Sequence, residues 1–494
     1  MRPQSIILFL FSLSVIFLLW QCSPIEEKVR TGAVDLVFST DTLRFDTIFT
    51  ELGSATRSIK VYNRYKERIR ISKISITGEM GGKFRMNVDG IPGNEVRDIE
   101  IEANDSLYIF CEVTVDPDQP LSESPFIIES SIRFETNEGE QEVLLEAWGQ
   151  NANYIPSRFG KGTLNLLSGE AIWDDPKPYV IYGWLFVDNG VLTIPAGARI
   201  YIHGGLVRND ELGVYNDGRL WILDNGRLKI EGTAENPVII EGDRLEEAFE
   251  GEAGQWYGIY IGQNSKGNTI EHTTIRNSFF GVYVDSAATL TVRNTQFYNT
   301  SSTALVGEHA RMDLQNCLIY NNGGNSVQMI HGGDYNLDHC TVASFGVDAA
   351  ALALSNFICY VPANLGCELG GVYRLNANFR NSIFFGSKDN EIILTDAIQD
   401  GRAGFNYNFE NCIVRVNEDL LEDYPDFYDY CTNCPQDVNR STPLFLDVNE
   451  DDYRLDSLSI AIGAGIPIDN VRLDLEGNQR DENAPDIGCF ERID

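Results

Sequence analysis

Positive charge is scarce in this 494-residue sequence: 38 lysines and arginines stand against 73 aspartates and glutamates, a formal net charge of −35. Phosphate backbones and anionic headgroups are gripped by Lys and Arg, so this balance argues against nucleic acid and against docking on anionic lipid. Long-range capture of an acidic polysaccharide is also disfavoured, unless calcium or a local basic patch reverses the field near one site. Signatures of catalysis are missing as well. The chain has no Ser-His-Asp arrangement, no phosphate loop and no zinc-ligand spacing. Its one Cys-x-x-Cys, Cys431-Thr-Asn-Cys434, has no second pair or histidine cluster after it, so a loop-closing disulfide is the favoured reading over a metal site. Asp447-Val-Asn-Glu-Asp451 begins like a calcium loop, but Asp452 occupies the turn-glycine position and no glutamate ends it. No catalytic residue and no cofactor is therefore assigned; calcium is the one ion left under consideration.

What the sequence does contain is a repeat. Ile270-Glu-His-Thr-Thr-Ile-Arg-Asn277, Val292-Arg-Asn-Thr-Gln-Phe-Tyr-Asn299, Leu314-Gln-Asn-Cys-Leu-Ile-Tyr-Asn321 and Leu337-Asp-His-Cys-Thr-Val-Ala-Ser344 start 22, 22 and 23 residues apart. Periods of this size belong to solenoids, whose repeats bury their apolar faces by stacking. Alternation of small or apolar with polar residues makes each copy a short strand with one inner face. Stacked at ~4.8 Å, the third column reads His272, Asn294, Asn316 and His339, and it returns at Asn381 and Asn411. Amides in such a register can bond along the stack as a structural ladder. The pattern predicts an all-β chain whose main body is a right-handed parallel β-helix.

Arg2 followed by the apolar run from Ser5 to Trp20 has the form of a signal peptide. Leu19-Trp-Gln-Cys22 at its end resembles a bacterial lipoprotein signal, which implies lipidation at Cys22. Glu26-Glu27 is similar to a surface-export signal of some Gram-negative lipoproteins. The expected location is the outer membrane, lipid-anchored and surface-exposed. Domain boundaries follow: 1–22 signal and lipidation site, 23–33 linker, 34–152 a β-sandwich, 160–440 the β-helix and 441–494 a C-terminal cap. Of the other cysteines, Cys317, Cys340 and Cys412 read as buried packing thiols. Cys359 and Cys367 flank one loop as a candidate disulfide.

About seven short alternating runs between Val34 and Asn151, separated by turn clusters, predict that sandwich. Phe45-Asp-Thr-Ile-Phe49, Ser58-Ile-Lys-Val-Tyr-Asn63, Asn104-Asp-Ser-Leu-Tyr-Ile109, Ile132-Arg-Phe-Glu-Thr-Asn137 and Val143-Leu-Leu-Glu-Ala-Trp-Gly149 resemble the Hydin (ASH) type of immunoglobulin-like domain. That resemblance implies a spacer or protein-binding module. Gly190-Val-Leu-Thr-Ile-Pro-Ala-Gly197, Asn225-Gly-Arg-Leu-Lys-Ile-Glu-Gly232 and Trp256-Tyr-Gly-Ile259 resemble repeats of bacterial surface lipoproteins and polysaccharide-active enzymes of the pectin-lyase-like superfamily. Asp452-Tyr-Arg-Leu455, Ser459-Ile-Ala-Ile-Gly-Ala-Gly465 and Asp474-Leu-Glu-Gly-Asn-Gln-Arg480 resemble the closing segment of such proteins, with the implied role of capping the open edge.

Fold alone does not assign an activity. Hydrolysis of a glycan needs two carboxylates facing one cleft, yet Asp285, Asp313 and Asp338 fall in different columns. The candidate binding surface is a column in which Tyr260 and Tyr283 align, followed by Leu305 and Gln328, with Asp285 and His331 near it. Excursions at 347–379 and 417–439 interrupt the ladder, the second expected to cover a hydrophobic end of the stack. The reading is a monomeric surface lipoprotein that recognises glycan or another surface polymer without catalysis. A polysaccharide lyase or glycoside hydrolase, and a structural or adhesive protein, are the alternatives.

Overall fold

The computed structural model describes residues 29–49, 56–78, 81–114, 126–155, 163–209, 213–246, 249–359, 368–397 and 404–493. Cys22, Cys367 and the signal segment lie outside them. The chain divides into two compact units, Met1–Gln150 and Asn151–Asp494. Among the described residues only Glu418–Asp423 is α-helical; the rest is strand, turn and short 3-10 helix.

Strict alternation builds the first unit. In Ser106–Val113, Leu107, Ile109, Cys111 and Val113 point inward while Tyr108, Phe110 and Glu112 point out. Two five-stranded sheets result, Arg57–Tyr62, Ser106–Val113 and Phe84–Val88 at the heart of one, Glu140–Gln150, Phe126–Glu135 and Ile69–Thr77 at the heart of the other. Phe45, Ile59, Val61, Ile71, Phe84, Ile132 and Phe134 fill the core between them.

The second unit is a parallel β-helix whose coils present three faces. One coil has Val282–Val284 on face I, Thr289–Arg293 on face II and Gln296–Thr300 on face III. These strands pair in parallel with Leu305–Gln315, which runs through faces I and II, and with Leu318–Asn322. Faces I and II share one fifteen-stranded sheet, and face III is a ten-stranded one. The stack starts earlier than position 160: Asn153–Ile155 already pairs with Tyr179–Ile181. Inward residues such as Ile230, Ile270, Val292, Leu314 and Leu337 form one column of core.

The asparagine-histidine column proves to be a corner and not part of a strand. His272, Asn294, Asn316, His339, Asn381 and Asn411 all have positive φ, between 43° and 51°, at the bend from face II to face III. Asn tolerates this left-handed region better than most residues. The ladder bonds also form: Asn316 Nδ2 donates to Asn294 Oδ1 at 3.0 Å, and Asn381 Nδ2 meets His339 Nε2 at 2.9 Å.

The end of the stack is covered as expected, whereas the C-terminal segment has a role different from the expected one. The 417–439 stretch closes the end: Asn417 caps Glu418–Asp423, and Leu420 and Phe427 are buried in the core beside Tyr407 and Phe409. The 441–494 segment instead runs along the outside of face III. Its Leu444, Leu455, Ala461 and Ile487 pack on Ile383, Phe385 and Ile413. Tyr453, Leu475, Cys489 and Phe490 pack on Leu318, Tyr320 and Ala343. It also bonds to the ladder: Asn381 Nδ2 donates to Ile466 O at 2.6 Å, Asn411 Nδ2 to Ala464 O at 2.7 Å, and Arg480 Nη2 to Asn316 Oδ1 at 2.9 Å. An edge cap would touch one coil; this segment spans several.

Cys317, Cys340 and Cys412 are fully buried thiols. The disulfide expected between Cys431 and Cys434 is absent, and both residues keep thiols. A hydrogen bond from Cys431 lowers the pKa of the Cys434 thiol. Cys431–Thr432 is instead the last rung, paired with Phe409–Glu410. Cys359 is disulfide-bonded.

Candidate binding face

Face I is built by alternation around Ile222, Ile259, Ile261, Val282 and Val284, all fully buried, which turns the residues between them outward. The register stacks Phe186 on Trp221, Trp221 on Tyr260 and Tyr260 on Tyr283. Ring centroids are 5.5, 4.6 and 5.0 Å apart along this column, and the two tyrosines lie within 9° of parallel. Above Tyr283 the column continues with Val306 and then Gln328. Leu305, the residue expected there, faces the core instead. At the other end Arg219 lies 4.4 Å from the Trp184 ring centroid and 3.7 Å from that of Tyr257. Burial lowers its pKa.

Side chains at the corner between faces I and II hold the tyrosines. Tyr260 Oη donates to Asp285 Oδ2 at 2.6 Å. Tyr283 Oη donates to Glu308 Oε2, and His331 Nδ1 to Glu308 Oε1 at 3.0 Å. His309 Nδ1 meets the His331 carbonyl at 3.1 Å, and its ring packs on Tyr373 at 4.8 Å. All four expected binding residues, Tyr260, Tyr283, Asp285 and His331, thus belong to one connected surface. Burial, followed by the hydrogen bond to a carboxylate, raises the pKa of both tyrosines. The hydrogen bond from His331 leads the causes that lower that of Glu308. The site therefore offers carboxylate and hydroxyl oxygens as acceptors, beside the faces and edges of stacked rings.

Glu308 was not anticipated, nor was its pairing with Asp285. Val284 pairs with Gly307, so the residues after them put two carboxylates on successive coils. Trp221 was missed as well, although the alternation of Arg219–Ile222 carries its signal. Asp313 and Asp338 lie on face II, where Asn336 and Arg380 respectively bond to them. His272 and His339 remain in the corner ladder.

A family model described as a right handed beta helix region matches residues 250–414. No curated protein matches the chain. Among solved structures, the catalytic unit of a thermostable GH87 alpha-1,3-glucanase from Streptomyces thermodiastaticus strain HF3-3 aligns at 9% identity, 72% of each chain and a TM-score of 0.29. A protein of unknown function from Porphyromonas gingivalis W83 aligns at 12% identity and a TM-score of 0.17, over 28% of this chain and 59% of its own length. The ASH / PapD-like domain of human CEP192 aligns at 6% identity and a TM-score of 0.16, over 26% of this chain and 96% of that domain. Likenesses of this size carry no activity across. The second unit is a right-handed parallel β-helix.

Proposed function

We propose that this chain is a lipid-anchored surface protein whose face I recognises a glycan or another surface polymer without cleaving it. The observation that carries the reading is the continuous outward column Phe186, Trp221, Tyr260 and Tyr283, with hydroxyls fixed by Asp285 and Glu308. Aromatic faces suit the apolar faces of sugar rings, and the flanking acceptors suit their hydroxyls. A polymer laid along the stack would meet a ring on each of several coils. In the same reading Cys22 carries the lipid, and the first unit is an immunoglobulin-like spacer of the ASH type that holds the β-helix away from the membrane.

One observation favours a second reading. Asp285 and Glu308 stand on successive coils, as the two carboxylates of a glycoside hydrolase would. Hydrolysis needs one of the pair protonated and the other ionised; the bonds from His331 and Tyr283 lower the pKa of Glu308, which suits it to the ionised role alone. The test is a panel of immobilised glycans, with and without calcium, on which retention and chain shortening are followed together. Retention without shortening, reduced about tenfold by Trp221→Ala, supports recognition. Shortening that stops in Asp285→Asn and Glu308→Gln would replace it with hydrolysis. Failure of every glycan to be retained or cut would leave a protein partner and the first unit as the place to look.

A further inference from the structure

Arg219 stands out on face I by what it lacks. Other arginines that sink into the β-helix meet carboxylates: Arg276 pairs with Glu241 at 2.6 Å, Arg380 with Asp338 at 2.7 Å and Arg480 with Glu491 at 3.3 Å. Arg219 is packed among rings instead. Its guanidinium lies 3.7 Å from the Tyr257 ring centroid, 4.4 Å from that of Trp184 and 5.2 Å from that of Trp221. Among the described residues no carboxylate pairs with it. Burial lowers its pKa, and the groups that act the other way are the hydroxyls of Tyr257 and Tyr260. Ring faces offset part of the cost of taking a cation out of water. A carboxylate would offset more, because a planar guanidinium bonds it through two parallel N–H groups.

Its position ties this unpaired cation to the ring column. Arg219 is in register with Trp184 of the preceding coil and Gly258 of the next. Two residues on, Trp221 turns outward by the same alternation. Gly258 brings no side chain to the neighbouring position, and a Cβ there would stand 2.4 Å from Phe280 O. Arg219 keeps part of its surface in solvent. Face I therefore has two electrically different ends. Arg219 begins it, and the carboxylates of Asp285 and Glu308 flank Tyr260 and Tyr283 further along.

We propose that Arg219 is the anion-binding end of face I, and that the glycan taken there carries one acidic unit, a carboxylate or a sulfate, followed by neutral sugars. The inference rests on the glycan reading of face I and names the ligand class within it. The acidic group meets the guanidinium, and the neutral units lie on Trp221, Tyr260 and Tyr283. A second acidic unit on either tyrosine would face Asp285 or Glu308 at like charge, on a chain whose net charge is already −35. A polyanion is thus refused, and a singly charged glycan is held in one direction.

The test measures retention of the full-length protein on immobilised glycans in matched sets. One set is lactose, 3′-sialyllactose and 3′-sulfolactose; another is xylotetraose with and without a single glucuronate; polygalacturonate is the polyanion. In one set the singly acidic member should be held about tenfold or more tighter than its neutral counterpart, and the gain should shrink as salt is raised. The sialyl and sulfo members separate carboxylate from sulfate. Arg219→Gln should bring the acidic member down to the level of the neutral one. Arg219→Lys, which keeps the charge and loses the planar fork, should retain only part of the gain, and it serves as the comparison if Arg219→Gln does not fold. Neutral and acidic members held equally, or a preference that survives both substitutions, would overturn the assignment and leave the glycan reading intact. Tightest retention of polygalacturonate would overturn the single-anion class. Retention of no glycan at all would remove the face I reading and this assignment with it.

Discussion

On face III the outward pair Tyr298 and Tyr320 stacks at 4.8 Å and 16°, and on face I the outward pair Tyr260 and Tyr283 stacks at 5.0 Å and 9°. The two motifs are nearly the same. Their surroundings are not. Tyr453 of the C-terminal segment packs on Tyr320 at 5.0 Å, and Tyr320 is 8% exposed. Tyr260 and Tyr283 stay half-buried, and their hydroxyls are held by carboxylates at a corner. Ring stacking between coils stabilises parallel strands wherever it occurs. A ring column therefore becomes a candidate site through what flanks it and what leaves it uncovered.

The comparison is broken most severely by ending the chain at Arg440. Leu318, Tyr320, Ala343, Ile383, Phe385 and Ile413 would then form one exposed apolar surface, and contiguous patches of this kind drive association. The expected outcome is self-association beyond that of the full-length protein, read by light scattering after size exclusion. An unchanged state of association would mean that face III needs no cover.

Next in size is Arg480→Ala. Arg480 is 3% exposed, pairs with Glu491 at 3.3 Å and donates to Asn316 and Gly488. Removing one member of a buried pair costs ~3–5 kcal/mol. The loss should appear in urea unfolding, and protease should then cut 441–494 before the β-helix. Glycan retention on face I should not change.

Tyrosine against tyrosine is the sharper test. Tyr320→Ala should cost ~3 kcal/mol in urea unfolding and leave glycan retention alone. Tyr283→Ala should cost much less stability and weaken retention about tenfold. Equal effects on both readouts would erase the distinction between a packed column and a binding one.

These differences were legible in the sequence to unequal degrees. The 22-residue period, the inward column Thr273, Thr295, Cys317 and Cys340, and the Asn-His column could be read because each coil there has nearly the same length. The corner role of Asn294 and Asn316 could not, because side-chain spacing does not reveal backbone φ. The slip from Val306 to Leu305 has a local cause. Val284 and Thr289 pair with Gly307 and Arg311, so the corner between faces I and II is one residue shorter in the later coil, and a fixed 22-residue period counted from Tyr283 lands on Leu305 instead of Val306. The same shortening hid Glu308. The C-terminal segment showed its motifs but not its path, since a segment that crosses coils leaves no period of its own.

The smallest expected effect concerns the corner that separates the two tyrosine columns. His331 and Tyr283 both donate to Glu308 and hold its pKa below the ordinary 4.5. A depressed carboxylate stabilises the fold in full above its unfolded-state value, and that contribution disappears as pH falls through the folded-state value. Glu308→Gln should therefore cost about 1 kcal/mol near neutral pH and progressively less below the ordinary carboxylate range. Urea midpoints of the two proteins should converge in acid. The corresponding change on face III, Tyr298→Phe, removes a hydroxyl that accepts from Arg276 at 3.1 Å and has no carboxylate partner to release. Its cost should show no such acid convergence. Parallel pH profiles for the two variants would mean that the face I carboxylate does not hold its tyrosine, and the acceptor surface proposed there would lose its anchor.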